Sequence, residues 1–291
     1  MNMKEFTLKA SDGFELSCAL FENENPKALI QVIHGAKEHK GRYYHFCGFL
    51  QEMGYTVITS DNRGHGKSVN EKYFLGHFES AERIVEDQHE ISLYIKQMYP
   101  GRELYLFGHS FGSIIARMYL QNYDDEIEKL VMTGTVLPMH TAGIARGITA
   151  LAKRTHGTNT LKGLIARMVN SGPDSWVCGN PYTMREYHND PLVQNCNYTN
   201  GAINAIAAAE ANLTKYKKFS CKNKELRILT ANGEKDVFRG TYKGLHRTVK
   251  ALNKVGYIHV QTITYPGMKH EIINELDKAS VYSDIVRYYN S

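Results

Sequence analysis

The chain has 291 residues, 42% of them hydrophobic and 22% charged, with a formal net charge of +5. These are globular proportions, and the length admits one large α/β domain with an insertion or two modest domains. A charge this mild, with no basic run interleaved with aromatics, argues against nucleic-acid binding, and no apolar run reaches the ~18 residues of a membrane span.

The first residues, Met1-Asn2-Met3-Lys4-Glu5-Phe6, lead into alternating polar and apolar positions, so no signal peptide is read and a cytoplasmic location is expected. Phe6 to Lys9 and Phe14 to Phe21, joined by Ser11-Asp12-Gly13, have the pattern of a β-hairpin. Short apolar or β-branched runs follow at Ala28 to Ile33, Tyr55 to Thr59, Leu104 to Phe107, Leu130 to Thr133, Leu226 to Thr230 and Val260 to Tyr265. Most are separated by stretches of helical period, such as Ile84, Ile91, Ile95 and Met98 ahead of the Pro100-Gly101 stop. This alternation predicts an α/β fold: a mostly parallel central sheet with helices on both faces. The last helix is expected from about Lys278, with Val281, Ile285 and Tyr288 on one face.

One stretch interrupts the rhythm. From Pro138 to about Lys215 there are helical patterns and loops but no convincing strand, which predicts a core of residues 1–137 and 216–291 and an inserted, mainly helical cap, or lid, of residues 138–215. Within it, Ile144, Ile148 and Leu151 share a face, as do Leu161, Leu164, Ile165, Met168 and Val169, while Arg146, Lys153, Arg154, Lys162 and Arg167 fall elsewhere. Two readings stay open here: stripes packed inward with a solvated charged face, or an apolar, basic-rimmed mouth for an amphiphilic substrate or a membrane surface.

The chemistry concentrates at Gly108-His109-Ser110-Phe111-Gly112, between a predicted strand and a predicted helix. A serine on that corner is forced toward positive φ with its hydroxyl exposed, the geometry of a nucleophile elbow. A serine hydroxyl needs a general base in contact and a carboxylate that orients the base. In chain order, Asp236 follows the strand ending at Thr230, with Glu234 as its nearest rival, and His270 follows the strand ending at Tyr265. Ser110, Asp236 and His270 are therefore the candidate catalytic residues. The backbone N–H groups of Phe111 and Ala36, the latter in the His34-Gly35-Ala36 loop, are the candidate oxyanion hole.

No metal or organic cofactor is implied. His270-Glu271-Ile272-Ile273-Asn274 approaches a two-histidine zinc motif but ends in Asn, and His34, Glu38 and His39 suggest a hydrogen-bonded loop scaffold. Arg63-Gly64-His65-Gly66 lacks nucleotide-binding spacing. Cys18, Cys47, Cys178, Cys196 and Cys221 are scattered and odd in number, which points to reduced thiols.

With these residues in place, the sequence resembles the monoacylglycerol lipase and lysophospholipase-like branch of the α/β-hydrolases, also labelled serine aminopeptidase-like. The resemblance rests on His34-Gly-Ala-Lys-Glu-His39 with Gly41-Arg42-Tyr43, Asp61-Asn-Arg-Gly-His-Gly-Lys-Ser68, Gly108-His-Ser-Phe-Gly-Ser113, Asn189-Asp-Pro-Leu192, Gly233-Glu-Lys-Asp236 and Pro266-Gly-Met-Lys-His-Glu271 through Glu275. Phe111 stands where the family often has Met and Ser113 where it often has Gly, and the cap matches least. The resemblance implies the α/β-hydrolase fold with a cap and places Ser110, Asp236 and His270 on a triad, with Ala36 and Phe111 at the oxyanion hole. The expected activity is that of a serine carboxylic-ester hydrolase working through an acyl-enzyme on monoacylglycerols or lysophospholipids. Its expected partner is a small ester or lipid, with transient contact between the cap and a membrane surface. The alternatives are a short-chain or aryl esterase, a serine aminopeptidase or thioesterase, and a non-catalytic binder of apolar ligands.

Overall fold

The computed structural model describes residues 2–139, 141–238 and 242–291 and builds them around one eight-stranded sheet. Its strands are β1 (Met3–Lys9), β2 (Glu15–Phe21), β3 (Leu29–Ile33), β4 (Thr56–Ser60), β5 (Leu104–His109), β6 (Lys129–Thr133), β7 (Arg227–Gly233) and β8 (His259–Tyr265). They lie in the order β1-β2-β4-β3-β5-β6-β7-β8. β1 and β2 form the predicted hairpin, and β2 runs antiparallel to β4. From β4 across to β8 every pairing is parallel. β3 to β6 are buried along their whole length, as apolar strands covered on both faces should be, while β1 and β8 are largely exposed edges.

Helices cover both faces. α1 (Tyr44–Glu52) and α10 (Lys278–Asn290) close one side through Phe46, Leu50, Val281 and Ile285. α2 (Ala81–Met98) and α3 (Phe111–Tyr123) close the other through Ile84, Ile91, Ile114 and Ile115. α9 (Tyr242–Val255) adds Leu252 to that second cluster.

Between β6 and β7 the described residues form α4 (Ala142–His156), α5 (Leu164–Asn170), α6 (Pro181–Asn189), α7 (Pro191–Gln194) and α8 (Asn200–Asn212), with no strand among them. The alanine-rich α8 is drawn into the core layer, where Ala202, Ala205 and Ala209 sit in the same cluster as α2 and α3. α4 and α5 behave differently. Ile144, Ile148, Leu151, Leu164 and Met168 are between 53% and 73% exposed, so the inward-packing reading of these stripes fails for them. Ile165 does pack against the core.

Buried charge fixes the loop after β4. Arg63, 1% exposed, donates Nε and Nη2 to the two oxygens of the fully buried Asp87 at 3.0 and 2.8 Å, and stacks over Phe14. Lys40 Nζ pairs with Asp61 Oδ2 at 2.8 Å, both out of water. Removing one partner of such a pair strands the other charge. Asp87→Ala is accordingly expected to cost about 3–5 kcal/mol in urea-induced unfolding; a loss below about 1 kcal/mol would show that Asp12, which also contacts Arg63, compensates.

Candidate active site

Parallel strands bring their C-terminal ends to one edge, where the loops of an α/β sheet converge. Ser110 occupies the corner between β5 and α3 with φ 52° and ψ −116°, the positive-φ strain read from the sequence. Three bonds hold it there: Ser110 N–H donates to Thr133 O at 3.0 Å, and both the N–H and hydroxyl of Ser113 donate to Ser110 O at 2.9 and 2.7 Å. The corner also requires glycine at 112. A Cβ there would stand 2.2 Å from Ile33 O, so only glycine lets the start of α3 cross the end of β3.

That crossing brings the loop after β3 over the serine, with the Gly35 backbone directly against the Ser110 side chain. Asn62 N–H donates to His34 Nε2 at 2.8 Å, so His34 carries its proton on Nδ1, which donates to Gly35 O at 2.7 Å. Burial, reinforced by His65, holds His34 well below the usual imidazole range and keeps this tautomer neutral. Two residues beyond Gly35, Lys37 N–H donates to Tyr198 Oη at 2.6 Å, and Tyr198 O–H can donate to His65 Nε2 at 2.7 Å. Neither Ala36 N–H nor Phe111 N–H has an acceptor among the described residues.

β7 and β8 supply the other two candidates. Asp236 lies three residues past β7, and its Oδ1 accepts from His270 Nδ1 at 2.9 Å and from Phe238 N–H at 2.9 Å. Glu234 instead accepts from Gly267 N–H at 2.9 Å, which separates the two carboxylates. With Nδ1–H given to Asp236, His270 presents Nε2 as a lone pair, and that buried atom has no partner among the described residues. Its ring is enclosed by Trp176, Phe238 and His109, with centroids 5.2, 5.0 and 4.7 Å away.

Ser110 and His270 line one cavity of about 230 Å³, together with Ala36 and Phe111. Ile114, Val136, Val169, Ile206 and Phe238 give it an apolar wall; Glu38, Tyr187 and Glu271 give it a polar one; and Glu210 lines it as well. A recess of about 310 Å³ near Glu82 and Lys218 lies away from these groups. Trp176, Tyr187, Tyr198 and Glu210 were not singled out by sequence patterns. The signals available were that Trp176 is the only tryptophan of the chain and that Glu210 is the only charge on α8.

Behind the histidine lies a buried polar cluster. Glu38, His109 and Glu271 have ligand atoms within 4.8 Å of one another, the spacing of a metal site. Their acids are already engaged: Arg42 Nη2 donates to Glu271 at 2.5 Å and the Tyr43 hydroxyl to Glu38 at 2.5 Å, so the guanidinium is the resident cation. Nearby, His39 Nδ1 accepts from Gly41 N–H and its Nε2–H donates to Asp190 at 2.6 Å, the loop scaffold expected there. Burial, then the charge on Glu271, push the Glu38 carboxyl up to about 7 from the ordinary 4.5. A carboxyl raised on folding favours the native state at low pH and loses that contribution as pH climbs through its folded value. Glu38→Gln should thus gain on wild type by about 2–3 kcal/mol between about pH 5 and about pH 8, read from paired denaturation curves. A difference that is flat across this window would mean that Glu38 is ionised throughout.

Residues 24–277 match the family described as Hydrolase_4, serine aminopeptidase S33. A monoglyceride lipase homolog of monkeypox virus is 29% identical over 89% of this chain and 88% of its own length. The human monoglyceride lipase is 32% identical over 63% of this chain and 58% of its length. A carboxyl esterase from Bacillus coagulans, solved with glycerol, superposes with a TM-score of 0.85 at 24% identity, covering 100% of this chain and 98% of that one. A soluble variant of Saccharomyces cerevisiae monoglyceride lipase, solved with a substrate analog, gives 0.76 at 18% identity, covering 100% and 95%. A sheet of this order, candidate residues on loops at one edge of it and a match spanning most of the sequence agree, and the chain belongs to the serine aminopeptidase S33 family of hydrolases with the α/β-hydrolase fold.

Proposed function

We propose that the protein is a serine carboxylic-ester hydrolase acting through an acyl-enzyme on monoacylglycerols or lysophospholipids. Ser110 attacks the ester carbonyl, His270 Nε2 takes the proton and returns it to the leaving alcohol, and Asp236 fixes the His270 tautomer. The N–H groups of Ala36 and Phe111 hold the oxyanion. The observation that carries this reading is the His270 lone pair: Nδ1 is tied to Asp236, while Nε2 has no partner among the described residues and the ring lines the same cavity as the positive-φ Ser110. Monoglyceride lipases among the relatives support the lipid side of the proposal.

The same reading gives the helical insertion the role of a cap and its outer face that of a lipid-surface contact. Between residues 130 and 173 there are five Lys and Arg and no Asp or Glu, so this stretch carries the whole formal +5 and the remaining residues balance. On it, Ile144, Ile148, Leu151, Leu161, Leu164 and Met168 are all at least half exposed. An exposed apolar stretch whose own charges are all positive suits an anionic lipid surface.

Ser110→Ala should abolish labelling by a fluorophosphonate probe and lower kcat on a monoacylglycerol by about 10⁴-fold or more, while a folded, labelled variant would refute the nucleophile assignment. Co-sedimentation tests the outer face: retention on vesicles containing an anionic lipid, lost in Leu164→Ser/Met168→Ser, is expected. Equal retention of the double variant would remove that face from the proposal.

A further inference from the structure

Among the residues facing the cavity, Glu210 has no place in the proposed chemistry. It is the only charged residue of α8, one turn beyond the cavity-lining Ile206, and no hydrogen bond or ion pair reaches its carboxylate among the described residues. Its nearest compensating charge is Arg117 on α3. Arg117 is 3% exposed and is held by the Ser113 and Val136 carbonyls, with Nη1 unpartnered. Burial pushes the Arg117 guanidinium down to about 9 and the Glu210 carboxyl up, so each partly offsets the other without a direct ion pair.

The place of Glu210 in the cavity lining gives its carboxylate a consequence. α3 starts beside Ser110 and carries Ile114 in the cavity wall, while α8 brings Ile206 and Glu210 to the same cavity. At about 30 Å³ for each small group, a cavity of about 230 Å³ has room for about eight carbons. A longer aliphatic chain would press methylenes against the Glu210 carboxylate and strip its water without replacing a hydrogen bond.

Resting on the ester-hydrolase reading, we propose that Glu210 is the specificity-determining end wall of the acyl pocket and restricts the enzyme to esters of short and medium acyl chains, up to about eight carbons. Glu210→Leu would replace the polar end with an apolar one and extend the pocket toward the long chains now refused.

The test is a series of 1-monoacylglycerols from butanoyl to hexadecanoyl, assayed on wild type, Glu210→Leu and Glu210→Gln. Wild type should favour octanoyl over hexadecanoyl in kcat/KM by about 100-fold, and Glu210→Leu should shrink that ratio by about 10-fold or more. Glu210→Gln, which keeps size and polarity, should retain the wild-type order. Independently of turnover, octanoate should raise the melting temperature of wild type more than hexadecanoate does, and Glu210→Leu should reverse that order. Wild type that prefers hexadecanoyl esters, or a Glu210→Leu profile that matches wild type, overturns the end wall but leaves the hydrolase reading standing. No turnover of any ester by wild type removes the hydrolase reading and this inference with it.

Discussion

The organisation of this site depends on one steric constraint, the crossing of α3 over the end of β3 at Gly112. No side chain fits between that residue and the Ile33 carbonyl, and the contact determines how far the start of α3 can sit from the neighbouring strand. Because it is so close, Ser110 has to turn through positive φ, and the Gly35 backbone comes to rest on the serine side chain. Strain of this kind persists only where the surroundings over-determine it, and here the Thr133 carbonyl and the Ser113 hydroxyl do so.

The loops around that corner are held by polar groups kept out of water, which fixes their charge states. His34 and His65 each give one ring nitrogen to a donor and the other to a backbone carbonyl, and burial keeps both neutral, His65 near 4. Arg63 and Lys40 are neutralised by Asp87 and Asp61. Such arrangements add little net stability compared with apolar packing, but they tolerate few alternative geometries. They pin the backbone of the loop that lies against the serine, and the helical insertion takes part through Tyr198 and Asp190.

The parallel sheet, the hairpin and the order of the candidate residues were legible because each has a local signature. Alternating apolar runs mark the strands, glycines flank Ser110, and Asp236 and His270 sit just after runs of β character. The choice of Asp236 over Glu234 was harder, since both lie in one loop; only the long-range approach of His270 separates them. The insertion was legible as helix but not in its packing. Ile144, Ile148 and Leu151 on α4 and Leu164 and Met168 on α5 carry the periodicity of buried faces yet are exposed, whereas α8, whose alanines give little amphipathic signal, is the helix that enters the core layer. Glu210 escaped notice for a related reason: a single acid in an alanine-rich helix acquires meaning only when Arg117 and the cavity are beside it.

Tyr198 links two functions that are usually treated apart. Its hydroxyl accepts from Lys37 N–H in the loop over the serine and lies within hydrogen-bond reach of His65, while its backbone belongs to the segment leading into α8. Any rigid displacement of that segment away from the sheet carries the hydroxyl with it and leaves two buried polar atoms bare. Displacement of that segment and order in the 34–38 loop are therefore thermodynamically opposed. A state with this segment displaced is also one in which the loop over Ser110 has lost a tether.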